Sequence, residues 1–228
     1  MSKKYRNYDR PNFDVKVEEK LLPLGSSNRS GIKQIPEYIV IHEVSLGLGK
    51  SPENFNMEHY ENLIKSKGMA GSTIGYHFLV GDKQIYQFVK EDEATEHTGT
   101  YEGNSNSIGV ERLICEGISY EHALHNQAKL IATLMVKWNI PLDHVKTHKG
   151  MVWTFAPERE NKKNCPSRML AGQRGGEEQF RREITKCFKH KWFFYELLDE
   201  KQIKAINSIM DNEINVAYNV DTTFPKRR

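Results

Sequence analysis

Disulfide frameworks are excluded first: the 228 residues contain only three cysteines, Cys115, Cys165 and Cys187, with no CxxC pair and an odd one left over. A reducing site of synthesis fits that count. Long apolar runs are missing too. No stretch approaches the ~18 residues of a membrane span, and the charged start from Met1 to Arg10 is followed by no apolar leader segment. The chain is therefore expected to carry no Sec signal and to insert in no membrane. Charge of one sign is also lacking: 33 Lys and Arg against 30 Asp and Glu leave +3. That is a mild balance rather than the concentrated basic patch of a nucleic-acid binder, so nucleic acid is not expected as a partner. Weak attraction to an anionic polymer remains open, and Lys226-Arg227-Arg228 reads as a solvated tail. No internal repeat is visible. What is present is a globular composition, 38% hydrophobic and 28% charged with ten Tyr, ten Phe and three Trp. One sizeable core that folds without disulfides follows from it.

Residues 1–30 mix charge, Asn, Pro and Ser and end in the turn-rich Gly25–Gly31, which reads as an arm wrapping the domain. Tyr38-Ile39-Val40-Ile41-His42 is a β-branched run of the kind found in strands buried on both faces. Ser51-Pro52-Glu53-Asn54 offers helix-start chemistry for a helix reaching about Lys67. Residues 76–80 and 84–89 read as strands joined by the Gly81-Asp82-Lys83 hairpin. A polar loop, Thr95 to Asn106, leads to a strand over Ser107–Ile114. A helical stripe then runs from Tyr120 to Trp138, stopped by Asn139 and Pro141. Residues 144–166 read as loop, and Glu177–Phe188 as a closing helix. Past it, the aromatic knot Trp192-Phe193-Phe194-Tyr195 precedes another helical pattern. This order predicts an α/β fold with a mixed central β-sheet and helices packed on its faces, over residues 31–190. A short C-terminal helical appendage, 191–228, would dock, bind a surface or oligomerise.

Lys163-Asn164-Cys165-Pro166 places a thiol two residues after an ammonium and before a rigid proline. A thiolate so held suits zinc, and the ammonium suits an oxyanion. Zinc hydrolases keep three protein ligands and leave one position open, and the residues supply His42, His148 and Cys165 as candidates. A spacing of this kind is weak by itself.

Four stretches in order strengthen it: Ile39-Val40-Ile41-His42, Gly75-Tyr76-His77-Phe78, Asn106-Ser107-Ile108-Gly109-Val110-Glu111 and Lys163-Asn164-Cys165-Pro166. Together they resemble the type 2 N-acetylmuramoyl-L-alanine amidases, a family that includes phage endolysins and is similar in fold to peptidoglycan recognition proteins. The resemblance implies a Zn2+ site in a groove at one edge, with His42, His148 and Cys165 as ligands. It makes Lys163 the oxyanion stabiliser and matches Glu111 and Tyr76 to residues beside the metal. A carboxylate takes a proton from water far more readily than a phenol of pKa about 10, so Glu111 is expected as base and Tyr76 as an orienting donor. His97 matches a histidine along the substrate groove.

The implied reaction is hydrolysis of the amide between N-acetylmuramic acid and L-alanine in peptidoglycan, by an endolysin acting at the bacterial wall after a holin-type release. A bacterial autolysin, a virion lysin, a noncatalytic peptidoglycan receptor and a cysteine hydrolase using Cys165 are the rivals. The chain departs from the family in two places. Met151–Lys162 lengthens the connection from His148 to Cys165, with His144 as the fallback ligand, and Glu43 follows the first ligand, where it would reach the groove or face solvent. Ordinary roles compete throughout. A lone strand-end histidine is commonly structural, a tyrosine in an apolar strand packs its ring, and Glu111 among buried neighbours needs a function or an ion pair. Cys115 and Cys187 read as buried thiols, and His59, His77, His122, His125 and His190 as packing or surface residues.

Overall fold

A computed structural model describes residues 17–45, 56–115 and 117–192. The strands are β1 (Val17–Glu19), β2 (Tyr38–Ser45), β3 (Phe78–Val80), β4 (Ile85–Gln87), β5 (Ser107–Ile114) and β6 (Val145–Thr147). The helices are α1 (Met57–Met69), α2 (Tyr101–Ser105), α3 (Tyr120–Trp138), α4 (His148–Phe155), α5 (Ser167–Leu170) and α6 (Gly176–Trp192). The strands form one sheet in the order β1-β4-β3-β5-β2-β6. Among the described strands only the β3–β4 hairpin pairs antiparallel; β2 runs parallel to both β5 and β6. The sheet is thus mixed, as its element order predicts.

Strand alternation divides the core in two, because successive side chains point to opposite faces. Ile39, Ile41, Ile108, Val110 and Val145 pack with Ala128, Ile131 and Met135 of α3 and with Phe180, Ile184 and Phe188 of α6. The other face gathers Leu79, Tyr86 and Leu113 with Met57, Tyr60 and Ile64 of α1. α3 matches its sequence stripe because Ser119 caps the first turn through the His122 N–H, while Asn139 takes the left-handed conformation that ends it. α1 starts at its Asn56 cap, whose side chain accepts from the His59 N–H; the helix-start signal at residues 51–54 lies outside the described residues.

Part of the N-terminal segment belongs to the sheet: β1 pairs in parallel with β4, and Leu22 enters the α1-side core. Arg29 ties the following turn down with a two-pronged ion pair to Glu93, Nε to Oε2 at 2.7 Å and Nη2 to Oε1 at 3.1 Å. The aromatic knot beyond Trp192 and the helical pattern after it lie outside the described residues.

The clearest correction concerns residues 144–166. They are not a loop but carry β6, α4 and a 3₁₀ turn at Pro157–Lys162. β6 has only three residues, too short for alternation to register, and Gly150 falls in the first turn of α4, where it masks a helical pattern. The helix starts there because Thr147 caps it, its Oγ1 accepting from the Gly150 N–H at 3.0 Å. The expected lengthening at Met151–Lys162 is therefore ordered helix and turn.

Phe180 anchors α6 and is 1% exposed, whereas Trp153 on α4 is 59% exposed. Phe180→Ala should cost about 3–5 kcal/mol of unfolding free energy by denaturant titration. Trp153→Ala should stay within about 0.5 kcal/mol. Equal effects would count against α6 as part of the core.

Candidate metal centre

Register builds this centre. In the parallel pair β2–β5, His42 lies opposite Glu111, and in β2–β6, Ile41 lies opposite Thr147. The next residue, His148, therefore comes beside His42 at the carboxyl ends of the parallel strands. Cys165 reaches the same place from the chain after the 3₁₀ turn, and the Lys149 N–H at the start of α4 donates to its carbonyl at 3.0 Å. The ligand atoms of His42, His148 and Cys165 all lie within 4.8 Å of one another. Glu111 Oε1 sits 3.7 Å from His42 Nδ1.

Hydrogen bonds choose which nitrogens face the cluster. The Ser107 hydroxyl donates to the Gly103 carbonyl, so its oxygen accepts the proton on His97 Nε2 at 3.2 Å. His97 Nδ1 then carries a lone pair and accepts from His42 Nε2–H at 3.0 Å. That leaves the His42 Nδ1 lone pair pointing at Cys165 Sγ, 3.7 Å away. His148 Nε2–H donates to the Thr98 carbonyl at 3.0 Å, which leaves its Nδ1 open as well. Asn104 holds that carbonyl in place by accepting the backbone N–H groups of His97 and Thr98 at 3.1 and 2.9 Å.

Burial sets the charge states. It pushes His42 and His97 well below the ordinary histidine value, and His148 and His77 down to about 4. The neighbouring Lys163 ammonium lowers His42 and His148 further. The imidazoles are therefore neutral with lone pairs available. Burial, and then the charge of Glu43, raise Glu111 to about 8, and its Oε2 is buried without a hydrogen-bond partner among the described residues. Burial and the Glu111 carboxylate push the Cys165 thiol up to about 12. Two neutral imidazoles, one thiol and a carboxylate with an unused oxygen are costly when left dry and unpaired. They fit a thiophilic dication, which would take the lone pairs and favour the ionised thiol and carboxylate.

Other expected site residues fall as follows. Lys163 lies close enough to influence His42, His148 and Cys165, and its Nζ would stand 3.7 Å from a methyl group built on Gly99. Tyr76 is 5% exposed and sets its ring edge-on to Phe88 at 5.6 Å between centroids; burial and then Glu111 hold its phenol well above the ordinary value. His97 is buried behind His42 with both ring nitrogens engaged, and Gly109 leaves room for it, since a methyl group there would meet His97 Nδ1 at 2.8 Å. His144 is not brought in: it stacks on Tyr38 at 4.4 Å, at the opposite end of β2. The Glu43 side chain neither enters the cluster nor meets solvent, because it forms a buried ion pair with Arg112. Ser107 and Asn104 were missed as site residues. Both stand in or near the Asn106–Glu111 stretch, but neither bears a distinctive charge or metal-binding group.

The model of the N-acetylmuramoyl-L-alanine amidase family matches residues 32–168. The chain is 31% identical over 161 residues to the N-acetylmuramoyl-L-alanine amidase CwlH of Bacillus subtilis (strain 168), covering 68% of this chain and 57% of CwlH. It is 31% identical over 160 residues to the N-acetylmuramoyl-L-alanine amidase XlyA of the same organism, covering 68% and 48%. The chain thus spans about half the length of these curated relatives. Among solved structures, the catalytic domain of XlyA matches with a TM-score of 0.61 and 27% identity, over 75% of this chain and 99% of that one. A mutant endolysin from Bacillus subtilis matches with a TM-score of 0.61 and 28% identity over the same shares.

These ionisations make metal-free stability depend on pH in two opposite ways. Between pH 4 and 6.5 the unfolded chain binds protons that buried His148 and His77 refuse, so these groups make stability rise with pH. Folded Glu111 holds its proton up to about 8 although its ordinary value is 4.5, so this group makes stability fall between those limits. The melting temperature of the metal-free protein should therefore rise to near pH 6.5 and then decline towards 8. Glu111→Gln should flatten the decline; an unchanged decline in the variant would reject the Glu111 assignment.

Proposed function

This chain belongs to the N-acetylmuramoyl-L-alanine amidase family, and on that footing we propose that it hydrolyses the amide between N-acetylmuramic acid and L-alanine in bacterial peptidoglycan. His42, His148 and Cys165 would hold Zn2+. The observation that carries the reading is the convergence of two imidazoles and one thiol beside a buried carboxylate, within the segment that the family model matches. When bound, zinc supplies a Lewis acid that polarises the scissile carbonyl and acidifies the attacking water.

Glu111 is the general base. Beside a dication its carboxyl ionises below the value of about 8 that it holds in the metal-free site, and its unengaged Oε2 accepts the proton of the attacking water. It then returns that proton to the departing alanine nitrogen. Lys163 stabilises the negative charge that develops on the carbonyl oxygen, a contribution of about 2.7–4 kcal/mol in comparable sites. Tyr76, with its phenol held protonated, orients as a donor and does not take a proton. His97 serves the reaction by fixing the His42 tautomer and not by touching substrate.

The same cluster argues against Cys165 as a nucleophile. A thiol pushed up to about 12, beside an imidazole driven well below its ordinary value, forms no thiolate–imidazolium pair. A noncatalytic receptor has no use for Glu111 with an open oxygen beside three metal donors. The likeness to an endolysin from Bacillus subtilis supports a lytic role at the bacterial wall, with release through a holin-opened membrane. No helix among the described residues is long and apolar enough to cross a membrane. Weak attraction of the +3 chain to anionic wall polymers would assist.

Purified peptidoglycan is the direct test. Cleavage should liberate L-alanine amino groups, stop with a chelator and return with zinc; chelator-resistant cleavage would overturn the metal assignment. Lys163→Ala should lower kcat by about 100- to 1,000-fold with little change in KM. Cys165→Ser should abolish activity, whereas Cys115→Ser should retain it.

A further inference from the structure

Glu43 follows the ligand His42 on β2 but points to the opposite face of the sheet, and there it meets Arg112 of β5, its direct cross-strand partner. The side chains of the pair are 1% and 0% exposed. Arg112 Nη2 donates to Glu43 Oε1, and the Tyr120 hydroxyl donates to the same oxygen at 3.2 Å. Arg112 Nη1 donates to Gln127 Oε1 at 3.0 Å, and Gln127 Nε2 donates in turn to the carbonyls of Val110 and His42 at 2.9 and 3.3 Å. A carboxylate fixed this firmly serves as a reference point for what it touches next.

What it touches is the Cys165 segment, from two sides. Glu43 Oε2 accepts the Arg168 backbone N–H at 2.9 Å. The Glu43 backbone also bears on the Cys165 thiol, lowering it against the rise that burial causes. α5 has no side-chain cap of its own, since Pro166 stands at its N-cap. The Glu43 carboxylate therefore satisfies an amide at the start of that helix which would otherwise be left without an acceptor. The other tether of Cys165 is the Lys149 N–H. Cys165 thus hangs between α4, which begins with His148, and β2, which carries His42.

We propose that Glu43, locked by Arg112, is a positioning residue that sets the Cys165 sulfur against His42 and His148 and so sets the metal affinity of the centre. It touches neither substrate nor the reacting atoms; it acts through Cys165. The inference rests on the metal-centre reading. It gives the buried ion pair on the far face of the sheet a function that burial alone does not supply, because a buried pair adds little net stability over well-packed apolar side chains.

The test compares the full chain with Glu43→Gln and with the double variant Glu43→Leu/Arg112→Leu. Zinc affinity is read by chelator competition, sulfur ligation by the thiolate-to-Co2+ absorption band, and folding by the melting temperature of the metal-free form. One amide oxygen cannot serve Arg112 and the Arg168 N–H together, so Glu43→Gln should bind zinc about 10- to 100-fold more weakly and show a diminished band. The double variant removes both charges together, so it strands no guanidinium and decides the matter if Glu43→Gln does not fold. It should melt cooperatively and bind zinc as weakly. Affinity within twofold of the parent in a folded variant, even at a lower melting temperature, would reduce Glu43 to a structural role and overturn the proposal. The parent separates the two readings. If Cys165→Ser leaves zinc binding unchanged, the metal centre itself falls and this proposal with it. If parent binding depends on Cys165 and the Glu43 variants match it, only the role of Glu43 falls.

Discussion

The parallel register of β2 between β5 and β6 is the constraint on which the candidate centre depends. It sets His42 opposite Glu111 on one side and brings His148 alongside on the other. A slip of one residue in either pairing would turn its neighbour to the far face of the sheet, because the side-chain period is two. The same register makes Glu43 and Arg112 partners on the opposite face. One backbone arrangement therefore aligns two chemistries back to back: metal donors and a carboxylate with one unengaged oxygen on one face, and a buried ion pair on the other. Cys165 is the only proposed ligand that this pairing does not place; the Lys149 N–H donates to its carbonyl, and the Arg168 N–H, three residues on, donates to Glu43.

Dryness gives the arrangement its chemical bias. Neutral histidines, a protonated thiol and a carboxyl of raised pKa are what a low-dielectric site makes of donors that have no cation. Each shift is a free-energy cost held by the metal-free fold, and a dication would relieve the cost at the thiol and the carboxylate. The chain from His42 through His97 and Ser107 to the Gly103 carbonyl completes the design, because a ligand ring is useful only in the tautomer that aims a lone pair at the cluster.

Reading the sequence reached far where elements are long and regular. β5 spans Ser107–Ile114 and α3 spans Tyr120–Trp138 as their patterns predict, since an eight-residue strand between a turn-rich loop and a capped five-turn stripe carries enough local information to decide. Residues 144–166 stayed hidden because β6 and α4 are short, and a three-residue strand forms only when β2 is there to receive it. Glu43, expected in the groove or at the solvent, goes elsewhere for a similar reason: its partner Arg112 is distant in sequence, and only the sheet makes them neighbours. His97 was recognised as a site residue, yet its place behind His42 depends on Gly109 leaving room and on Ser107 accepting its proton.

The sequence by itself determined the kinds of donor available, the strand that ends in His42, the strand that carries Glu111 and the family to which the chain belongs. These follow from local periodicity and from residue types whose chemistry does not depend on context. Tertiary structure alone decided that His148 and not His144 joins His42, that His42 Nδ1 faces the sulfur, and that Glu43 turns away to meet Arg112 and the Arg168 N–H. Those outcomes rest on hydrogen bonds and desolvation between residues far apart along the chain, and such interactions exist only once the sheet has closed.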